Sequence, residues 1–285
     1  MSIFTIAELT FREARRKKLM WLALGLGTAF IIVFGIGLHL ILTEAIEDRS
    51  PRRQPSQAEL NIMLTQISGV LLVMGLFAVN FLVVMMTALT SVDTIAGEIS
   101  SHTIQTLATK PVPRRDIILG KWLGHALLIT CYIIFMFIGI IVTTYVLSGY
   151  LPPNIPTGLA LMVLEGLIVL SLSIFGGTIF PTLANGVVVF MVYGLAFVGS
   201  WVEQIGAALE SQAAIQVGII SSLLMPSESM WRIVADIMQP ALIRQAGVPP
   251  ITVYSRPSNA MVIYAIIYAI ALLGGALAQF SRRDL

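Results

Sequence analysis

DTIAGEISSHTIQTLATKPVPRRDIILGKWLG, residues 93–124, is the stretch around which this chain is organised. It is the one long polar interruption in the N-terminal half that has an organised pattern. Its first part predicts a short helix, marked by the apolar residues Ile95, Ile99 and Leu107. Pro111 and Pro113 then end that helix, because proline lacks an N–H group and disfavours the helical conformation of the preceding residue.

A basic collar follows the prolines, formed by Arg114, Arg115 and Lys121 at the start of a long apolar run. We interpret the stretch as a loop that leaves a membrane, folds and re-enters it beneath this collar, and therefore as a candidate docking surface. We expect the three cations to anchor the following span by extending their charged ends to the lipid head groups.

The composition indicates that lipid is the solvent of this protein. Of 285 residues, 57% are hydrophobic and only 11% are charged, whereas a soluble domain has about 25% charged residues. The formal net charge of +2 gives no reason to expect a polyanionic partner such as a nucleic acid. The single cysteine, Cys131, excludes an internal disulfide.

The hydropathy pattern predicts an all-α, polytopic membrane protein with a single transmembrane domain. We expect six spans, because a helix needs about 20 apolar residues to cross a bilayer. The expected spans are residues 19–42, 62–89, 122–147, 158–180, 186–201 and 259–280, the fifth being short.

Residues 1–18 predict an amphipathic helix that precedes the first span. Phe4, Ala7, Phe11 and Ala14 recur at helical spacing, with basic residues on the other side. Such a helix is expected to lie in the membrane interface. The alternative is a solvated basic tail.

Lysine and arginine set the expected orientation. With six spans, both termini, the 91–121 loop and the 181–185 turn share one side, and that side carries most of the cations in short segments. Because such segments stay in the cytoplasm, we expect both termini to be cytoplasmic and the protein to lie in the plasma (inner) membrane.

The sequence has no pattern for catalysis or metal binding. It lacks a P-loop, HExxH, CxxC and GxSxG. Its three histidines are far apart, and its 13 methionines are mostly scattered through the spans, which favours a packing role over a metal site. We therefore expect no catalytic residue, no metal and no cofactor in this chain.

Glu165 is the one acidic residue well inside a predicted span. Inserting a charged residue at the centre of a helix costs about 2.5–3.5 kcal/mol on insertion scales, so such groups face the bundle interior or water. Glu165 is therefore a candidate for the transport pathway. The alternative is a carboxyl near the outer interface that hydrogen-bonds a neighbour or is protonated.

The segment 203–258 is much longer than a turn between two spans requires. We expect a partly re-entrant helix near 212–225 and, after Pro226, an amphipathic helix near 228–239 that lies flat at the outer interface. The residues expected to close an outer gate or dock a partner are Met230, Trp231, Ile233, Val234 and Ile237. The alternative is a packing cap without a gating role.

The 93–124 stretch resembles the signature of ABC-2 type exporter permeases, in which a Glu-containing helix runs into a TLxxLxxxPVxRxxIxxGKxLG-like pattern. The matching residues are Glu98, Thr106, Leu107, Pro111, Val112, Arg114, Ile117, Gly120, Lys121 and Gly124. One departure is Ser101-His102, where many members have glycine. The terminal patterns FREARRKKLMW and FSRRDL are similar to a subgroup labelled as multi-copper enzyme maturation permeases.

The resemblance implies a permease subunit that exports a substrate. Two permease chains, identical or different, would pair with two cytoplasmic ABC ATPase chains, which bind ATP and magnesium. An accessory protein on the outer side is compatible with it. The 99–107 segment would be the coupling helix, and the coupling residues would be Glu98, Ile99, Thr106, Leu107, Pro111 and Arg114.

Two other functional classes remain open at this point. One is a membrane scaffold that relays ATPase motion to an outer partner through residues 203–258. The other is an ATP-independent transporter, which often has an internal repeat; residues 1–142 show no convincing repeat in 143–285.

Overall fold

A computed structural model describes residues 3–16, 18–47, 56–100, 113–240, 243–244 and 253–282, with the backbone alone at 99 and 100. Every regular element of three residues or more in these ranges is an α-helix. The helices are α1 Ile3–Arg16, α2 Lys18–Glu47, α3 Gln57–Ser91, α4 Asp93–Ser100, α5 Arg114–Ser148, α6 Ile155–Gly177, α7 Thr182–Ala208, α8 Gln212–Leu224, α9 Ser227–Met238 and α10 Asn259–Arg282.

Six of the described segments are long and apolar enough to cross a membrane: α2, α3 continued by α4, α5, α6, α7 and α10. The all-α, six-span prediction is confirmed, and the chain is a multi-pass membrane protein. The fifth span is longer than expected, because α7 begins directly after Pro181 and continues to Ala208. Its last turns carry Glu203 and Gln204, whose polar partners lie in the 203–258 segment.

The bundle has a buried centre and an apolar surface. Within their most apolar windows, α6 is 67% buried and α3 is 56% buried, whereas α2 is 6% buried and α10 is 17% buried. The side chains on the periphery are therefore mainly those that face lipid. The end that carries α1, α4 and the C-terminal end of α10 is called the motif end below, and the opposite end is called the hairpin end.

Helices α8 and α9 form a hairpin. α8 enters the bundle alongside α7, with Gly206 packed on Ala214 and Gly199 on Ser221. α9 returns along α6 to the hairpin end, where Asn154 Nδ2 donates to the Ile237 carbonyl at 3.3 Å. Helix α8 lies at the position where the sequence predicted a helix, near 212–225, and its re-entrance into the membrane stays a prediction.

The carbonyl groups at the C-terminal end of α8, inside the bundle, accept hydrogen bonds from a neighbouring helix. The last carbonyls of a helix lack intrahelical partners, and a lipid environment offers none. Tyr264 donates to the Leu223 carbonyl at 2.6 Å, and Tyr268 donates to the Leu224 carbonyl at 2.8 Å. These two tyrosines lie one turn apart on α10 and cap the hairpin.

The placement of α9 differs from the flat interfacial helix that the sequence predicted. All twelve of its residues are buried, including Glu228, Arg232 and Asp236 on its polar side. The amphipathic pattern correctly predicted a helix, but its polar side is covered by protein. Glu228 and Arg232 have partners on the preceding span, and Asp236 pairs with Arg244 and Arg256 in the chain that follows.

Helix α1 packs on the start of α5 through two glycines. A Cβ atom at Gly124 would lie 2.7 Å from the Ala7 carbonyl oxygen, and one at Gly120 would lie 2.6 Å from the Ile6 Cβ. The buried face of α1 is Ile6, Thr10 and Ala14. Of the predicted apolar side, Ala14 belongs to this buried face, whereas Phe4 is 79% exposed on the surface of the bundle.

We predict that Gly124→Ala lowers thermal stability, because the new methyl group meets backbone that has little room to move. Overpacking of this kind costs about 1–3 kcal/mol. Gly37→Ala is the matched control, since a Cβ there meets nothing within 4 Å. Both variants are heated in detergent and followed by tryptophan fluorescence. Equal melting temperatures for Gly124→Ala and Gly37→Ala would show that α1 does not pack on α5.

Candidate functional site

The motif end is organised around a buried ion pair between α4 and α5. Lys121 Nζ donates to Glu98 Oε1, and the two side chains are 6% and 20% exposed. Lys121 was expected to extend to the lipid head groups; that prediction is wrong, because its ammonium group is turned inward to the carboxylate on α4. Arg114 and Arg115, by contrast, are exposed at the start of α5.

His125 adds a second link, one turn further along α5. Its Nδ1 lies 3.1 Å from the Lys121 carbonyl oxygen, and its Nε2 lies 3.0 Å from Thr94 Oγ1. A carbonyl oxygen only accepts, so Nδ1 donates to it, and Nε2 of a neutral ring accepts from the Thr94 hydroxyl. The imidazole thus joins α5 to the first turn of α4.

Asn185 joins the same region to two further spans. Its amide nitrogen, on α7, donates to the Val92 carbonyl at 3.2 Å and to the Ser173 carbonyl of α6 at 2.9 Å. Thr182 also donates to Asp93 Oδ1 at 3.3 Å. Helix α4 is therefore held by α5, α6 and α7, and a displacement of α4 is resisted by all three.

The predicted coupling residues fall partly within the described ranges. Glu98 lies in the ion pair with Lys121, and Arg114 donates to the Ser281 carbonyl at the end of α10 at 3.3 Å. Thr106, Leu107 and Pro111 lie outside the described residues, and of Ile99 only the backbone is described.

Glu165 lies at the centre of the bundle and is fully buried. Neither of its carboxylate oxygens has hydrogen-bond geometry with a described donor. Asn80 of α3 and Glu228 of α9 are the groups that interact with it, and Tyr193 of α7 hydrogen-bonds Glu228. Two buried carboxyl groups from separate helices therefore interact electrostatically inside the bundle.

Glu228 was missed as a functional residue at the sequence level. It was assigned to the polar face of an interfacial helix, and nothing in its neighbours indicates Glu165, which lies far away in the chain. The available signal was the presence of ionisable residues in a segment as apolar as 203–258.

A second buried ion pair fixes the hairpin to α7. Arg232 Nη1 lies 2.7 Å from Glu203 Oε1, and the side chains are 6% and 5% exposed. Arg232 also donates to Ser222 at 3.0 Å, and Ser255 donates to Glu203 at 2.5 Å. Because both charges are buried, removal of either partner leaves the other uncompensated.

The predicted gate residues divide into two groups. Met230, Ile233, Val234 and Ile237 are buried in the core of the bundle. Trp231 is also buried in the core and in addition borders a cavity, with its ring centroid 5.7 Å from that of Phe77 on α3.

That cavity has a volume of about 510 Å³ and is bounded by α3, α7, α9 and the chain before α10. Its walls are mainly apolar and include Phe77, Trp201, Trp231 and Tyr254. The charged residues on it are Glu228 and Arg232. Volumes of this size and walls of this kind are typical of sites for small molecules.

Comparison with known families identifies one match. The family model described as ABC-2 family transporter protein matches residues 4–285. This range includes the motif end, the hairpin and all six spans. No curated protein matches the chain.

We predict that the Glu98–Lys121 pair is energetically coupled. Lys121→Met leaves a carboxylate without its partner and should destabilise the chain by about 3 kcal/mol. Adding Glu98→Gln should recover part of that loss, giving a coupling energy of about 1 kcal/mol or more. Unfolding of the four proteins of this cycle in denaturant measures it, with the exposed Arg115→Met as control. Strict additivity would mean that the two side chains do not interact.

Proposed function

The chain belongs to the ABC-2 family of transporter proteins, and we propose that it is the permease subunit of an ATP-driven exporter. The energy would come from a separate ABC ATPase chain that binds ATP and magnesium. Two permease chains and two ATPase chains would form the complex, with the substrate moving outward. The observation that carries this proposal is the family match over residues 4–285 together with the way α4 is tied into the bundle.

The motif end supplies the element on which an ATPase would act. Helix α4 leads directly into the 101–112 segment, which carries the family pattern. Glu98 forms an ion pair with α5, and Thr94 and Asp93 form hydrogen bonds with α5 and α7. A force applied to the 101–112 segment would therefore be transmitted through α4 to these two spans. Interfaces of packed helices respond to such a push by shifting as units.

The interior supplies candidates for the pathway. Glu165 and Glu228 lie between α6 and α9, and Glu228 borders the 510 Å³ cavity. A carboxyl group inside a membrane protein is costly in free energy, so the few that occur usually serve a function. We therefore place the pathway along α3, α7 and α9, with Glu165 behind it.

The cavity also favours export over the other two classes. A scaffold that only relays force needs no chamber with aromatic walls beside its outer hairpin. An ATP-independent transporter does not need the family's coupling segment. The proposed location is the plasma membrane, with both termini in the cytoplasm.

We predict that a cysteine at Glu210 reacts with a membrane-impermeant thiol reagent on intact cells. Glu210 is exposed at the hairpin end, between α7 and α8, whereas Glu228 and Asp236 are buried and unsuitable for labelling. The test uses Glu210→Cys in a Cys131→Ala background, with Arg115→Cys at the motif end as the matched inner control. Labelling of Arg115→Cys alone in intact cells would reverse the proposed orientation.

We predict that changing Ile99 and Leu107 together to Asp abolishes stimulation of the ATPase chain. Two carboxylates would replace the apolar contacts that a coupling helix makes in a groove of its partner. The readout is ATP hydrolysis by the co-purified complex in lipid nanodiscs. Leu151→Asp, at a 57% exposed position at the hairpin end and outside the cavity, is the control. Normal co-purification and hydrolysis with the double variant would reject the coupling assignment.

A further inference from the structure

We propose that the cavity bounded by α3, α7 and α9 binds a lipophilic organic cation, which is the substrate class of the exporter. This inference rests on the proposed function and adds the chemistry of the cargo. It is argued from the charges that border the cavity, from its aromatic walls and from the unpartnered carboxyl oxygens behind it.

The charge next to the cavity is unbalanced. Arg232 is the one cation among the residues that border it. Its guanidinium is paired with Glu203 at 2.7 Å and also interacts electrostatically with Glu228, so one cation serves two buried acidic groups. Glu228 Oε1 has no hydrogen-bond partner among the described residues. The fully buried carboxyl of Glu165, which interacts electrostatically with Glu228, adds a further acidic group. A cation at this point would supply the missing charge, whereas an anion would meet two carboxyl groups.

The oxygens in this region are mainly acceptors. Both oxygens of Glu165, Glu228 Oε1 and Asn80 Oδ1 are buried and have no described donor. Buried acceptors without partners are costly, so a positively charged group nearby relieves a penalty that already exists.

The walls select for an apolar, aromatic-binding molecule. Phe77 and Trp231 lie with centroids 5.7 Å apart, and Phe197 continues the row between Phe77 and Trp201 at 6.4 and 6.5 Å. Aromatic faces attract cations, most strongly when water is excluded. The cavity volume of about 510 Å³ admits a molecule of drug size. A small hydrated ion would use little of this surface.

The test compares two probes of nearly the same size and shape but opposite charge. Tritiated tetraphenylphosphonium and tetraphenylborate are equilibrated with the full-length chain in lipid nanodiscs, and empty nanodiscs supply the background. We expect saturable binding of the cation and no saturable binding of the anion. Saturable binding of both probes, or of tetraphenylborate alone, would overturn the proposal.

Variants locate the site. Glu228→Gln removes the carboxylate at nearly constant volume and should weaken cation binding about tenfold. Glu210→Gln, an exposed carboxylate outside the cavity, is the control and should bind like the parent chain. Equal affinity of the parent and Glu228→Gln would place the cation elsewhere and overturn the assignment.

A second route covers the case in which Glu228→Gln does not fold. Phe77→Leu removes an aromatic face at a partly exposed position and leaves all charges in place. We expect weaker cation binding with an unchanged melting temperature, and unchanged binding would contradict the proposed site. Co-purification of the ATPase is scored separately. Absence of cation binding in a complex that still hydrolyses ATP would reject the substrate class and leave the proposed function standing.

Discussion

The ion pair between Glu203 and Arg232 is the interaction on which the hairpin end depends. At 2.7 Å and with both side chains almost fully buried, it joins α7 to α9 in the interior of the bundle. Two buried charges are expensive, and the pair is tolerated because Ser222, Ser229 and Ser255 add hydrogen bonds to it. Without it, Arg232 would be a buried charge that lacks its nearest partner, which would oppose the burial of α9. If α9 moved away, the cavity would lose one wall, and Glu228 would be separated from Glu165.

The same constraint operates at the other end of the bundle. Lys121 and Glu98 form a buried pair between α5 and α4, and Asn185 satisfies carbonyls on two neighbouring segments. In water these charged and polar groups would each be hydrated. Inside a membrane protein they must form hydrogen bonds or ion pairs with other groups of the protein. The result is a bundle whose two ends are each locked by polar contacts and are connected by rigid helices. That arrangement is suited to carry a displacement from α4 towards the cavity, which is the hypothesis behind the proposed exporter mechanism.

The sequence predicted those features that depend on local pattern. Apolar run length revealed the six spans, and the position of Glu165 within one of them marked an interior carboxyl group. Features that depend on distant partners were not accessible. The polar side of α9 resembled an interfacial helix because Glu203 and Glu165 are distant in sequence. Lys121 resembled a head-group anchor for the same reason, since Glu98 lies on a separate helix. The face of α1 that is buried is the one that packs on Gly120 and Gly124 of α5. The periodicity of α1 alone does not show which of its apolar residues pack on protein, and Phe4 is exposed on the bundle surface.

The most direct test of the account is to purify the solubilised full-length chain from its own membrane and identify every protein that accompanies it. The account predicts a P-loop ATPase in equal amount, with ATP hydrolysis that depends on the presence of this chain. Purification without any ATPase, together with substrate movement in the absence of ATP, would contradict it.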